Sequence, residues 1–552
     1  MLDHSADKEE RGRLILLLLV SLALYLYPVW WGLPNGDATW AVDAITPLTP
    51  LSVAHKSFSS WNSGWFYFKY SIGHVLLLLA VYLPAVLVLM ATGHLYGAMK
   101  VSYGSALSKG AVLVFALLGR LVSVAMATAT IWLLYRITRR LFGRRAAFWS
   151  AAAAALSLGM IFYSHTTNLD IPCLFWTLVA WDAALGLQDA LQWRGVLVFG
   201  GASGMALATK EQAIGFLIGL SAIIAIAQVV QWRRGTLRSI QIIGRLAGGV
   251  GMGVLIFLVA SNAFYNPLGF YRRLQFITGT LPPDVANALV PRAAFLYPGT
   301  LPGLQAHWEM FRESCRAMAW SMSFGWWCFA LCGLVIALRR APMAVVWLVV
   351  PSVAYYFISL PALPQPPNVR YVLPMTIALS LAGGLTSALL WKRGRPGKAL
   401  VLATLAYALA SGVGVDYLMA HDPRYQAEAW LQHHTRPGTR IEVYQKASFL
   451  PRFPDWLTVV EPKFRDISSA GFAQRAPDLV LLNMAELKHI VSRYDKSQPR
   501  MVAPPENAAF LQSLLRGELG YREVASFSAS WPLLPENIIR SLGPRLLLVA
   551  RQ

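Results

Sequence analysis

Runs of apolar residues recur along most of the chain, separated by short polar connections. They lie at about 14–31, 111–135, 146–163, 171–187, 196–209, 213–231, 246–265, 319–338, 342–360, 371–391 and 399–415. Many approach the roughly 20 residues a helix needs to cross a bilayer. The pattern predicts a polytopic α-helical membrane protein with about eleven transmembrane helices. A β-barrel would show shorter, alternating segments instead. A further apolar run, 71–92, raises a parity problem. If it crossed, Arg136, Arg139, Arg140, Arg144 and Arg145 would fall outside, against the positive-inside rule. It is therefore read as a helix lying in, or dipping into, the outer leaflet. Trp61, Trp65, Phe66, Tyr67, Phe68 and Tyr70 precede it, and aromatic side chains suit an interface. The polar residues 1–13 are then cytoplasmic, and 32–109 and 266–318 are long outer segments.

The pattern changes after residue 415. Residues 416–552 are polar and read as a small soluble α/β domain on the outer side, which divides the chain into 1–415 and 416–552. Asp422 to His434 has helical periodicity and ends at Arg436-Pro-Gly438, a stop signal. Ile441–Tyr444, Leu479–Leu482 and Leu546–Val549 read as strands.

Composition sharpens the class. Of 552 residues, 56% are hydrophobic and 14% charged, well below the quarter usual in soluble domains. The net charge of +21 suggests nucleic acid, but the basic residues sit in short clusters between apolar runs, as topology signals do. The four cysteines form no disulfide framework, and Cys328 and Cys332 read as small core residues. The first apolar run lacks a small-residue cleavage site and reads as a retained span. There is no Walker loop, HExxH or GxSxG motif. Gly200-Gly-Ala-Ser-Gly204 lies in an apolar run and reads as close helix packing.

The ionisable residues at membrane edges gather on one side of this topology. Asp37 and Asp43 lie in the first outer loop, His165 and Asp170 in the second, Lys210 in the third, and Arg370 with Tyr371 in the fifth. Such groups are costly at a membrane and mark function. Carboxylates take protons and cations hold phosphate, a combination suited to transfer from a phosphorylated donor. Each has a plainer alternative. Asp37, after Pro-Asn-Gly, is also a helix N-cap candidate. Asp43, in a helical stretch, is also a solvated surface residue. Asp170 precedes Ile171-Pro172, as at the start of a capped span. His165 is also a hydrogen-bonded loop histidine, Lys210 a snorkelling side chain, and Arg370 a flanking anchor.

At these residues the chain resembles the lipid-linked-sugar glycosyltransferases of the GT-C class, among them bacterial aminoarabinose transferases and protein O-mannosyltransferases. Gly36-Asp37-Ala38 matches the first position of the family's acidic motif, with Ala38 replacing the second acid. Asn168-Leu-Asp170-Ile-Pro172 resembles its second acidic site. Ala206-Leu-Ala-Thr-Lys210 and Arg370-Tyr-Val-Leu-Pro374 resemble its Lys-ending turn and its Arg-Tyr element. Arg139-Arg-Leu-Phe-Gly143 resembles the cytoplasmic end of its second span. The likeness covers about residues 14–415, and the family's interfacial helices agree with the reading of 71–92.

The resemblance implies a polyprenyl-phosphate sugar donor entering from the membrane and an extracytoplasmic lipid, glycan or protein acceptor. It implies Asp37 as the base that deprotonates the acceptor and Asp170 as its catalytic support. Lys210 and Arg370 would bind the donor phosphate, with Asp43, His165 and Tyr371 supporting or binding acceptor. Transfer would invert the anomeric centre. A divalent cation stays open, since some relatives use one and others do not; the residues themselves suggest no metal site. The implied location is the bacterial inner membrane, with a cytoplasmic N-terminus and a periplasmic C-terminal domain. The rival readings are a multi-span transporter or flippase and, because of Ala38, a non-catalytic assembly protein.

Overall fold

The computed structural model describes residues 2–33, 39–94, 109–235, 239–289, 303–363, 367–462, 466–487, 505–536 and 538–552. The chain divides into two compact units. One comprises residues 1–30 and 44–413, the other 31–43 and 414–552.

The first unit is helical. Its helices are α1 (Leu2–Leu26), α2 (Thr49–Phe58), α3 (Gly73–Ala91), α4 (Lys109–Phe142), α5 (Arg144–Ala155), α6 (Leu158–Ser164), α7 (Asp170–Asp189), α8 (Trp193–Thr209), α9 (Ala213–Arg233) and α10 (Ser239–Ala260). They continue with α11 (Pro267–Ile277), α12 (Pro283–Leu289), α13 (Gly303–Met322), α14 (Phe324–Arg340), α15 (Pro342–Ile358), α16 (Leu373–Trp391) and α17 (Arg395–Ala420). The last turns of α17 belong to the second unit.

Among the described residues, seven helices are long and apolar enough to cross a membrane, or up to nine if each bent pair counts as one span. The pairs are α5 with α6, bent by 57°, and α13 with α14, bent by 111°. At the second break Ser323 takes φ 72°, where α-helical hydrogen bonding cannot continue. The remaining expected spans take other forms. The run at 14–31 is helical only as far as Leu26, within α1, whose first half carries Glu9, Glu10, Arg11 and Arg13. Those at 196–209 and 342–360 form helices of 17 residues, α8 and α15. Cys328 and Cys332, expected in the core, are exposed on α14.

Ion pairs gather at one end of this unit. Arg136 and Arg140 meet Asp182 at 2.9 and 3.2 Å, while Arg144 and Arg139 meet Glu10 at 2.9 and 3.4 Å. This end therefore holds the start of α1, the end of α4 and the end of α7. Asp170, Lys210 and Arg370 lie at the opposite end of their helices.

The helix α3 is long and apolar enough to cross a membrane, yet its neighbours lie at the Asp170 end. Gly73 packs against Ala208 near the end of α8. Half-way along, the Tyr82 ring meets that of Phe115 at 4.9 Å, tilted by 37°, and borders Gly119, which also meets Thr167.

Helices α8 and α10 meet through glycines. A Cβ on Gly200 would stand 2.1 Å from the Gly249 carbonyl oxygen, and one on Gly204 2.4 Å from that of Gly253. Backbones this close leave no room for side chains, as in small-residue helix contacts within membranes. Elsewhere α10 exposes Ile240, Ile243, Val250, Val254 and Val259, an apolar face suited to lipid.

The second unit is a five-stranded mixed sheet with helices on both faces. Its strands are β1 (Arg440–Val443), β2 (Thr458–Val460), β3 (Leu479–Asn483), β4 (Tyr521–Phe527) and β5 (Leu546–Arg551), in the order β2-β1-β3-β5-β4. β1 is parallel to β2 and β3, whereas β5 is antiparallel to β3 and β4. Every residue of the central strand β3 is buried, so it reads as an unbroken apolar run rather than an alternating one. Leu479 and Leu481 face Leu431 of α18 (Pro423–His434). Val480 and Leu482 face Phe472 of α19 (Ser469–Arg475) and Phe510 of the helix Pro505–Leu515. The edge strand β4 is largely exposed. The three strands expected from the sequence correspond to β1, β3 and β5; β2 and β4 are too short or too polar to stand out. Asp422 caps α18 by accepting from the Arg424 backbone N–H.

Candidate active site

Three loops of the first unit bring chemistry to one point. Asp170 opens α7, Lys210 closes α8, and Arg370 immediately precedes α16. Lys210 Nζ donates to Asp170 Oδ1 at 2.6 Å, and Arg370 Nε stands 3.9 Å from Asp170 Oδ2. All three are buried: Asp170 is 8% exposed, Lys210 3% and Arg370 9%. Lys210 is therefore no snorkelling side chain, and the Asp170 carboxylate engages a cation.

Tyr371 organises the cations. Arg370 Nη2 donates to its hydroxyl at 2.7 Å, and the guanidinium lies 4.6 Å from the ring centre. Lys210 Nζ stands 5.8 Å from the same ring. The Tyr355 hydroxyl donates to the Tyr371 carbonyl at 2.9 Å, and Asn368 Oδ1 accepts from the Arg370 backbone N–H at 3.0 Å. Burial opposes the Arg370 charge, but Asp170 and the surrounding tyrosines hold its pKa well above the ordinary value. Two cations and one carboxylate leave this buried cluster with a net positive charge.

The cluster lines a small, partly open cavity. Leu174, Ala213, Phe216, Leu373 and Pro374 form apolar walls, and Thr177, Gln212 and Tyr355 add polar groups. An anionic head with an apolar tail matches this division. Among the described residues no three of His, Cys, Asp or Glu gather, and Asp170 is the only carboxylate lining the cavity. The described donors alone do not form a divalent-cation site.

Other expected residues stand elsewhere. Asp37 lies outside the described residues. Asp43 is not helical: it is an exposed turn residue with φ 64° and belongs to the second unit. His165 is buried, with Nδ1 2.6 Å from the Ile161 carbonyl and Nε2 2.7 Å from that of Tyr27. Both ring nitrogens face the backbone, and His165 does not line the cavity.

The sequence did not single out the support beside Lys210. Glu211 accepts from Arg273 Nε at 3.1 Å and from the Ser71 hydroxyl at 3.1 Å. Arg273 also donates to the carbonyls of Tyr67 and Phe68 at 2.6 and 3.0 Å. Adjacent residues thus hold the site, through Lys210, and the aromatic segment, through Glu211. The signal was the adjacency of Lys210 and Glu211; the distant partner Arg273 carried none.

Residues 116–263 match the family model for dolichyl-phosphate-mannose-protein mannosyltransferase. No curated protein sequence matches. Among solved structures, apo ArnT from Cupriavidus metallidurans is similar over 98% of both chains, with 14% identity and a TM-score of 0.50. The archaeal oligosaccharyltransferase AglB from Archaeoglobus fulgidus, solved with an inhibitory peptide and a dolichol-phosphate, is similar over 96% of this chain and 75% of its own, with 11% identity and a TM-score of 0.42. The chain has the GT-C fold of ArnT, and within it residues 116–263 carry the region that matches the mannosyltransferase family model.

Proposed function

We propose that the chain is a membrane glycosyltransferase that moves a sugar from a polyprenyl-phosphate-linked donor to an extracytoplasmic acceptor. The observation that carries this reading is the buried Asp170–Lys210–Arg370 cluster on an apolar-walled cavity. Its residual positive charge complements a phosphate, and its walls complement an isoprenoid. The mannosyltransferase family match over 116–263 supports the same substrate chemistry, and undecaprenyl phosphate is the ligand named for a second ArnT structure.

In this reading Lys210 and Arg370 bind the donor phosphate and stabilise the charge that grows on it as the glycosidic bond breaks. Such stabilisation, in a site shielded from water, is commonly the largest part of catalysis. Asp37 takes the acceptor proton, the acceptor oxygen or nitrogen bonds to the anomeric carbon, and polyprenyl phosphate leaves. A single displacement inverts that centre. Asp170 holds Lys210 in place. The protein works in a bacterial inner membrane, with its C-terminal domain on the outer side.

The test is incubation of the purified protein in lipid with a panel of radiolabelled polyprenyl-phosphate sugars and envelope extracts as acceptor source. Release of polyprenyl phosphate together with labelled acceptor is expected for one donor. Intact donor throughout, with cargo moving across sealed vesicles, would overturn the reading in favour of transport.

A further inference from the structure

In the turn between α8 and α9, three consecutive residues are held by three different parts of the chain. Lys210 donates to Asp170 of α7, and its carbonyl accepts from the Cys173 thiol of the same helix at 3.8 Å. Glu211 accepts from the Ser71 hydroxyl, ahead of α3, and from Arg273 Nε of α11, each at 3.1 Å. The Gln212 carbonyl accepts from the Ser359 hydroxyl at 2.6 Å, at the end of α15. Backbone direction separates the first two. Lys210 leaves α8 with φ −156° and ψ 117°, an extended conformation in which successive side chains point to opposite sides. Lys210 and Gln212 therefore line the cavity, while Glu211 does not.

Glu211 turns instead to a separate assembly. The helix α11 is joined to the segment before α3 without its help. The Leu268 backbone N–H donates to Asn62 Oδ1 at 2.7 Å, and the Gly64 backbone N–H donates to Asn266 Oδ1 at 2.9 Å. Asn266 Nδ2 donates to the Trp65 carbonyl at 2.7 Å, and Arg272 Nη1 donates to that of Gly64 at 2.9 Å. Arg273 Nη1 adds the carbonyls of Tyr67 and Phe68. What Glu211 contributes is the tie between this assembly and the residue next to Lys210.

The tie has the character of a fixed link. Arg273 is only 7% exposed, and its Nε and Nη2 both reach Glu211 Oε1. A guanidinium so buried needs its charge answered, and charge-assisted hydrogen bonds are the stronger kind. Lys210 needs such a link more than an arginine would. Its ammonium is a point charge on a flexible stem, so its place depends on where the turn sets its backbone.

We propose that Glu211 and Arg273 are positioning residues for Lys210. Their ion pair fixes the turn between α8 and α9 against α11 and residues 67–71, and so sets where the Lys210 ammonium meets a bound phosphate. The proposal rests on the reading of Lys210 as a ligand of the donor phosphate.

The test uses the full-length protein in lipid nanodiscs, with two readouts. One is equilibrium binding of undecaprenyl phosphate. The other is hydrogen–deuterium exchange in peptides covering 206–214, where the N–H groups of Lys210, Ala213 and Ile214 bond within the turn. Glu211→Ala and Arg273→Met are expected to speed exchange there at least tenfold and to weaken binding about tenfold. In a Lys210→Met background, where Arg370 still meets the phosphate, neither is expected to change binding further by more than twofold, because both act through the missing ammonium. Arg272→Ala removes a bond of α11 that does not involve Glu211 and is expected to leave both readouts within twofold. Equal losses of binding in the two backgrounds would overturn positioning through Lys210, as would the same losses in Arg272→Ala. Unchanged exchange in Glu211→Ala would overturn the link, and unchanged binding there would overturn its role. If the wild-type protein binds no undecaprenyl phosphate, the reading of Lys210 falls, while exchange still judges the link separately.

Discussion

Lys210 donates to Asp170 across 2.6 Å in a site where neither side chain is more than a tenth exposed. Removing one member strands the other as a buried charge, which typically costs about 3–5 kcal/mol. Arg370, 3.9 Å from Asp170, softens but does not remove that penalty for the carboxylate. Lys210→Met and Asp170→Asn should each lower the unfolding temperature and abolish transfer. The double variant should be destabilised by less than the sum of the two. Thermal unfolding of the four proteins closes the cycle, and strict additivity would deny the coupling.

Arg370 is held by a hydrogen bond to the Tyr371 hydroxyl and a cation–π contact with its ring as well as by charge. Lysine keeps the charge but loses the fork and the stacking. Arg370→Lys should therefore raise the donor KM about tenfold, roughly 1.4 kcal/mol of binding, with a smaller change in kcat. Steady-state kinetics over donor concentration reads both. An unchanged KM would remove Arg370 from the phosphate site.

For Asp37 the expectation is chemical. A well-placed general base contributes about 10²–10⁴-fold. Asp37→Asn should lose at least a hundredfold in kcat and keep the wild-type unfolding temperature and donor binding. Retained activity would assign the base elsewhere.

The sequence made the helical class and the site's first members legible for different reasons. Apolar runs are long-range signals that survive averaging, so the membrane region stood out. Asp170, Lys210 and Arg370 were visible because ionisable groups at membrane edges are rare and costly. Tyr355 was hidden within an apolar run, and Arg273 was hidden among several arginines with no local sign of its partner Glu211. The breaks inside 146–163 and at Ser323 escaped because hydropathy does not encode backbone direction. Residues 31–43 were assigned to the helical region by position along the chain, whereas the structure places them in the second unit. Cation–aromatic packing between Trp40 and Arg424, 384 positions apart, has no sequence periodicity.

His165 gives the molecule a pH dependence. Burial lowers its pKa from 6.5 to about 4, while hydrogen bonds to the carbonyls of Ile161 and Tyr27 partly oppose the shift. The folded state thus favours the neutral ring. The associated stability is fully present above pH 6.5 and is lost as the pH falls from 6.5 through about 4. A shift of this size corresponds to about 3 kcal/mol. Thermal unfolding between pH 7 and 4 should show a falling midpoint, with a flatter profile in His165→Gln. Identical slopes would mean that other groups carry the dependence.

The glycine contact between α8 and α10 separates packing from chemistry. A methyl at Gly200 would stand 2.1 Å from the Gly249 carbonyl oxygen, and a backbone atom cannot move aside as a side-chain tip can. Gly251, on α10, has nothing within 4 Å of the same added methyl. Helix propensity favours alanine over glycine at both sites by about 1 kcal/mol, so only sterics distinguishes them. Gly251→Ala should leave the unfolding temperature unchanged or slightly raised. Gly200→Ala should lower it, by the roughly 1–3 kcal/mol that overpacking costs, and Gly200→Val should do so further. Folded Gly200→Ala protein should retain the wild-type donor KM, because the contact lies on an interface remote from the Asp170 cavity lining. Equal stability of the two alanine variants would show that α8 and α10 are not in backbone contact.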